Sequence, residues 1–230
     1  MSDLSAFPIT RRWPPRKPDA IQLYSLPTPN GVKIGIALEE MGLDYDAHRV
    51  KFSRNDQTSP EFLSLNPNNK IPAILDPHGP NGRPLALFES GAILIYLAEK
   101  SGQFMPSANR YEVLQWLMFQ MGGLGPMVGQ LGFFHAFAGK EIEDPRPKER
   151  YRAETARLLK VLDTALEGRA WIAGDYSIAD MAIGPWLRGL RDFYKVGDIT
   201  GLTECHNVEK YIDRFLARPA VQRGLLVPAA

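Results

Sequence analysis

A chain of 230 residues, 44% hydrophobic and 23% charged, has the length of one large or two small domains and the composition of a soluble globular protein. Its 27 basic and 26 acidic residues leave a formal charge of +1, which supplies no global field for nucleic acid or an anionic membrane. The single cysteine, Cys205, excludes an intramolecular disulfide and any cysteine-built zinc or iron-sulfur centre, and fits a reducing, cytoplasmic setting.

Residues 1–19 are rich in Pro and Arg, lack periodic apolar positions, and read as an extended tail, either a disordered leader or a strap over a partner subunit. Arg11-Arg12 is followed by Trp13-Pro14-Pro15-Arg16-Lys17-Pro18, where an export signal needs an apolar stretch, so a twin-arginine reading is rejected. Ile21 to Leu26 reads as a strand. Asn30 to Gly42 follows as a helix, with Val32, Ile36, Leu38 and Met41 apolar and Gly42 as its stop. Tyr45 to Phe52 reads as a second strand with imperfectly separated faces, so a right-handed parallel crossover is expected.

Ser59 caps a short helix from Pro60 to Leu65. Two further strands, Ile71 to Asp76 and Leu85 to Phe88, flank a Gly- and Pro-rich turn, and Glu89 to Gly102 is again helical. This βαβ-ββα order over residues 20–102 predicts a thioredoxin-like domain. Beyond a linker at 103–107, residues 108–230 predict an all-helical C-terminal domain, with helices near 108–137, 147–167, 178–194 and 206–217. The fold class is therefore α+β. Ser177 and Asp180 form an S-x-x-D capping box for the third of these helices. Val113 to Gly139 carries no charged side chain, but its three glutamines, His135, Pro126 and six glycines suit a buried, kinked helix pair rather than a membrane span.

Three stretches could carry chemistry. In Pro27-Thr28-Pro29-Asn30-Gly31, a strand turns into a helix whose N-terminus can hold an anion or a thiolate, yet no cysteine stands there. Thr28 and Asn30 offer a hydroxyl and an amide that can stabilise a thiolate brought by a ligand, and equally read as a turn residue and an N-cap. Depressing a thiol by two pKa units corresponds to ~2.7 kcal/mol. In "NNKIPAI", a cis Ile71-Pro72 bond would present the Ile71 backbone to a peptide-like ligand, although most X-Pro bonds are trans. In "FESGAILIYLAE", Glu89 and Ser90 at a helix start match the two charges of an amino-acid end, or serve as an ordinary cap.

Together, "LYSLPTPNG", "SPEFLSLNPNNKIPAI", "LFESGAILIYLAE" and "YSIADMAI" resemble the glutathione transferases, most closely their bacterial nu class, over Ile21 to Leu225. The resemblance implies glutathione, reduced or oxidised, as cosubstrate. Thr28 and Asn30 would face the glutathione sulfur as the catalytic pair. Gln57 and Lys70 would touch the tripeptide, Ile71 would pair with it beside a cis Pro72, and Glu89 with Ser90 would hold the γ-glutamyl end. Arg150, in "KERYRAET", would reach a glutathione across a homodimer interface. The class is similar to disulfide reductases that bind oxidised glutathione or two glutathiones, which suits a chain without a thiol in this turn. A conjugating or peroxide-reducing transferase and a non-catalytic glutathione-binding module are the alternatives. Tyr24 reads as strand packing, Cys205 as a small apolar side chain, and His48, His78, His135 and His206 lack metal spacing. Neither a dinucleotide-binding glycine motif nor a G-x-S-x-G elbow is present.

Overall fold

A computed structural model describes residues 4–229. In chain order the principal elements are α1 (Ile9–Arg12), β1 (Ile21–Ser25), α2 (Pro29–Met41), β2 (Tyr45–Arg49), α3 (Pro60–Leu63), β3 (Ala73–Asp76), β4 (Leu85–Phe88) and α4 (Ser90–Ser101). Then follow α5 (Arg110–Phe119), α6 (Gly125–Ala136), α7 (Pro145–Ala165), α8 (Ile178–Arg188), α9 (Gly197–Thr200), α10 (His206–Leu216) and α11 (Pro219–Gly224). They form two compact units, residues 4–103 with 219–229, and residues 104–218.

The first unit is built on a four-stranded sheet in the order β2-β1-β3-β4. β1 runs parallel to β2, with Leu23 opposite Ala47, and antiparallel to β3, with Leu23 opposite Ile74; β3 in turn pairs antiparallel with β4. All five side chains of β1 are buried, as expected of a central strand covered on both faces. α2 packs against α4, and from Gly31 to Leu38 it is buried on every side. A separate cluster gathers Leu4, Ile9, Tyr24, Val50, Phe62, Leu65, Ile71, Ala73 and Leu75, with Trp13 against it.

That cluster corrects the reading of the N-terminal tail. Residues 4–19 are neither extended throughout nor free of their own domain, because Leu4 and Ile9 are buried and the Trp13 ring lies edge-on to Tyr24 and Phe62, at 5.9 and 6.4 Å. Residues 1–3 lie outside the described part. Charge fixes the tail as well: Arg12 pairs with Asp56, and Asp46 accepts the Arg16 backbone N–H at 2.6 Å and Arg16 Nε at 2.9 Å. Burial alone would raise the Asp46 carboxyl, but the Arg16 side chain and backbone hold it below the usual range.

β2 also differs from expectation. It ends at Arg49, and its inward residues are Asp46 and His48, while Phe52 is 43% exposed. The polar pair is tolerated because it has partners: the Arg16 backbone and side chain and the Lys17 backbone N–H meet Asp46, and His48 Nε2 lies 2.9 Å from Gln22 Oε1. The end of the chain, expected within the helical domain, instead returns to the first unit. α11 packs on α2 where Gly35 and Gly224 meet; a β-carbon on Gly224 would stand 2.4 Å from Ile36 Cα.

The second unit is helical, with two short β-bridges between residues 171 and 175. A single π-helical turn, Gln120–Leu124, joins α5 to α6 within the charge-free stretch. Among the described residues no helix is long and apolar enough to cross a membrane. At the start of α8 the Asp180 carboxylate is fully buried and accepts from the Ile172 and Ser177 backbone N–H groups at 3.1 and 2.9 Å, and from Ser177 Oγ at 3.1 Å. Cys205 is buried, and burial raises its thiol pKa.

Candidate functional site

The turn from β1 into α2 depends on a close approach. A β-carbon on Gly31 would stand 1.9 Å from the Leu26 carbonyl oxygen and 2.6 Å from Ser25 Oγ, so glycine alone lets the helix begin this near the strand end. Thr28, extended at φ −108°, is the N-cap; its Oγ1 accepts from the Gly31 N–H at 3.3 Å, and Pro29 opens the helix. Thr28 and Asn30 are half-buried, and the first turn of α2 contains no acidic residue. The positive end of the helix dipole is therefore left without an acidic side chain from its own turn.

A second helix start has the same character. Glu89 precedes α4 with φ 71° and ψ 112°, a conformation uncommon for a residue with a side chain, and it makes no side-chain cap. Glu89 is exposed, whereas Ser90 is only 3% exposed. Again no acid stands in the first turn of the helix proper.

Lys33 joins the two starts. It sits one turn into α2, wholly buried, and its Nζ donates to Ser90 Oγ at 3.3 Å. Burial lowers its ammonium pKa to about 7, while the Glu89 carboxylate acts in the opposite direction. The sequence reading missed this residue because a lysine within a helix is ordinarily placed in water. The available signal was the run Gly31-Val32-Lys33-Ile34-Gly35-Ile36-Ala37-Leu38, apolar on all sides except for that lysine.

The Ile71-Pro72 peptide is cis, as the resemblance implies, and both residues are buried. β3 begins at Ala73, which leaves Ile71 just outside the ladder. The loop before it is held by Asn66, also missed from the sequence: its Nδ2 donates to the Lys70 carbonyl at 2.6 Å, and its Oδ1 accepts from the Asn68 N–H at 2.9 Å. Its sequence signal is the Asn-Pro-Asn-Asn run, in which an asparagine side chain can bond the backbone two residues on. Lys70 itself is exposed. Gln57 is half-buried, and its Oε1 is a buried acceptor without a hydrogen-bond partner in the protein. Such an atom calls for a donor from water or a ligand.

Tyr24, on β1, stacks on His48 at 4.9 Å with its hydroxyl buried, and burial with the Asp46 charge pushes its pKa up. That environment suits packing, not proton exchange. Arg150 stands exposed on α7 and belongs to the second unit, whereas the other named site residues belong to the first. No group of histidine, cysteine and carboxylate side chains able to hold a metal occurs among the described residues.

A thioredoxin-like sheet, two helix starts with no acid in the first turn, an orphan acceptor and no local cysteine together equip this unit to hold a small anionic ligand. The family described as "Glutathione S-transferase, N-terminal domain" matches residues 19–99, and "Glutathione S-transferase, C-terminal domain" matches residues 126–219. The chain belongs to the glutathione S-transferase family. It is 46% identical to the disulfide-bond oxidoreductase YfcG of Escherichia coli K12 over 211 residues, 90% of this chain and 94% of that protein. Among solved structures, a glutathione transferase from Pseudomonas putida with one glutathione disulfide bound per subunit is 62% identical, with a TM-score of 0.97 over 99% of this chain and all of that one. One from Burkholderia graminis, with two glutathione molecules per subunit, is 63% identical with a TM-score of 0.97, covering 100% of this chain and 97% of its own.

Proposed function

We propose that this protein is a glutathione-dependent disulfide-bond reductase of the nu class, which holds oxidised glutathione or two glutathiones and brings no thiol of its own to the reaction. The observation that carries the reading is the start of α2, where Thr28 and Asn30 stand at a helix N-terminus without a cysteine or an acid. Relatives described as a disulfide-bond oxidoreductase and as transferases holding glutathione disulfide or two glutathiones support it.

Here Thr28, Asn30 and the helix end lower the pKa of the glutathione thiol and align it. The resulting thiolate attacks one sulfur of the substrate disulfide; the other sulfur leaves as a thiolate and takes up a proton. A second glutathione thiolate then attacks the mixed disulfide, which releases the second substrate thiol and leaves oxidised glutathione. Gln57, Lys70 and the Ile71 backbone bind the tripeptide, and Glu89 with Ser90 holds its γ-glutamyl end. Buried Cys205 takes no part. The reading includes a cytoplasmic homodimer in which Arg150 reaches a glutathione; unaltered glutathione affinity in Arg150→Ala removes that residue from it.

Thr28→Ala and Asn30→Ala are expected to lower turnover of a small disulfide by about ten- to a hundredfold each, the scale of losing one charge-stabilising donor, with the fold intact. Wild-type turnover in both variants overturns the assignment. A haloaromatic electrophile assayed beside the disulfide separates a conjugating transferase from a reductase.

A further inference from the structure

Lys33 is wholly buried within Gly31 to Leu38, a stretch of α2 in which every residue is buried and a cation is expensive to keep. From α4, Glu89 acts on it, while Lys100, near that helix's far end, pairs with Asp76 at 2.9 Å. Glu39, farther along α2, is engaged by Arg223 of α11 at 2.6 Å and by the Tyr45 hydroxyl at 2.7 Å. The ionisable group of β1, Tyr24, belongs to the cluster packed with Trp13. Costly buried charges kept in this way concentrate where a protein does its work.

The contact with Ser90 has a polarity. An ammonium has three donors and no acceptor, so in the 3.3 Å contact Ser90 Oγ is the acceptor and the hydroxyl proton is directed away from the amine. We propose that Lys33 is a positioning residue for the γ-glutamyl end of bound glutathione: it directs the Ser90 hydroxyl toward the ligand carboxylate and places a buried positive charge behind it. The inference rests on the glutathione reading of this site. It follows that the neutral amine, which can accept from Ser90, turns the hydroxyl away.

Because burial brings the ammonium to about 7, the two arrangements exchange near neutral pH. A bound carboxylate favours the charged amine, so binding takes up a proton and affinity falls as pH rises through the neutral range. Oxidised glutathione is the suitable probe, since it has no thiol to ionise. Calorimetric titration from pH 6 to 8.5, in two buffers of different ionisation enthalpy, reads affinity and proton uptake together. Wild type is expected to lose about tenfold in affinity over this range and to take up part of a proton, a coupling of ordinary size. Lys33→Met is expected to bind about tenfold more weakly at pH 6, with both the pH dependence and the uptake abolished. Ser90→Ala, which keeps the lysine and removes the relay, is expected to weaken binding at pH 6 and flatten the profile.

A wild-type profile that is flat and proton-free overturns the role of Lys33 while leaving glutathione binding intact. So does Lys33→Met with wild-type pH dependence. Wild type that binds oxidised glutathione at no pH removes the glutathione reading itself.

Discussion

Three helix starts in this protein have opposite fates. At the start of α8 the chain closes the end with its own acid, since Asp180 accepts from two backbone N–H groups and one hydroxyl. At α2 and α4 no acid occupies the first turn, and the neighbouring polar groups are Thr28, Asn30, Glu89 and Ser90. A helix end whose own acid accepts from the nearby backbone, as Asp180 does, is part of the scaffold; an end with no acid in its first turn and no carboxylate cap, as at α2 and α4, is available to a ligand's anion. Burial acts differently in the two places. It pushes the Asp180 carboxyl up to about 6 against its hydrogen bonds, and brings the Lys33 ammonium down to about 7.

The contrast can be broken most forcefully at α8. Asp180→Ala leaves buried donors of Ile172 and Ser177 without their acceptor and is expected to cost about 3 kcal/mol in chemical denaturation, with no selective effect on glutathione affinity. A loss below the usual size of a single cap would place Asp180 outside the scaffold.

Lys33 should behave in the opposite sense. Its folded pKa lies below the unfolded value, so the unfolded chain binds the extra proton, and native stability rises as pH climbs from about 7 toward the ordinary lysine range. Lys33→Met should be more stable than wild type by on the order of 2 kcal/mol below pH 7, with the gap closing as pH approaches 10. Denaturation curves at three pH values read this directly; equal stability throughout would mean that the buried amine carries no cost.

The smallest change in stability, and a useful one for function, comes from giving α2 the acid that it lacks. Asn30→Asp puts a carboxylate in the first turn and should add about 0.5 kcal/mol to stability through the helix dipole. The same charge opposes a neighbouring thiolate, so glutathione-dependent disulfide reduction should fall about tenfold, and the thiol pKa of bound glutathione, followed by its ultraviolet absorbance, should rise. A faster enzyme would contradict the reading of this turn.

Much of this was legible in the sequence because the signals are local. Short strand-like runs beside turn residues placed β1 and β4, and the Gly42 stop placed the end of α2 at Met41, with left-handed φ 63° at the glycine. What escaped depends on partners far along the chain. Nothing near Asp46 and His48 foretells an inward polar pair, since the partner of Asp46 is Arg16, 30 residues earlier. The tail has no periodicity because it adopts little regular structure; Leu4, Ile9 and Trp13 are held by filling space beside Tyr24 and Phe62. Within the candidate site, Thr28, Asn30, Glu89 and Ser90 stand in motifs that can be quoted. Lys33 and Asn66 act through burial, which a polar letter in a sequence does not announce.

The fit of Gly224 against α2 bears on how the protein is made. The helix that carries Thr28, Asn30 and Lys33 has one flank covered by residues some 190 positions later, so the first unit cannot complete its packing while the second is still being synthesised. A ribosome-bound chain stopped short of residue 219 would leave that flank of α2 open to solvent and to chaperones, and glutathione added at that stage would meet a half-built receptor.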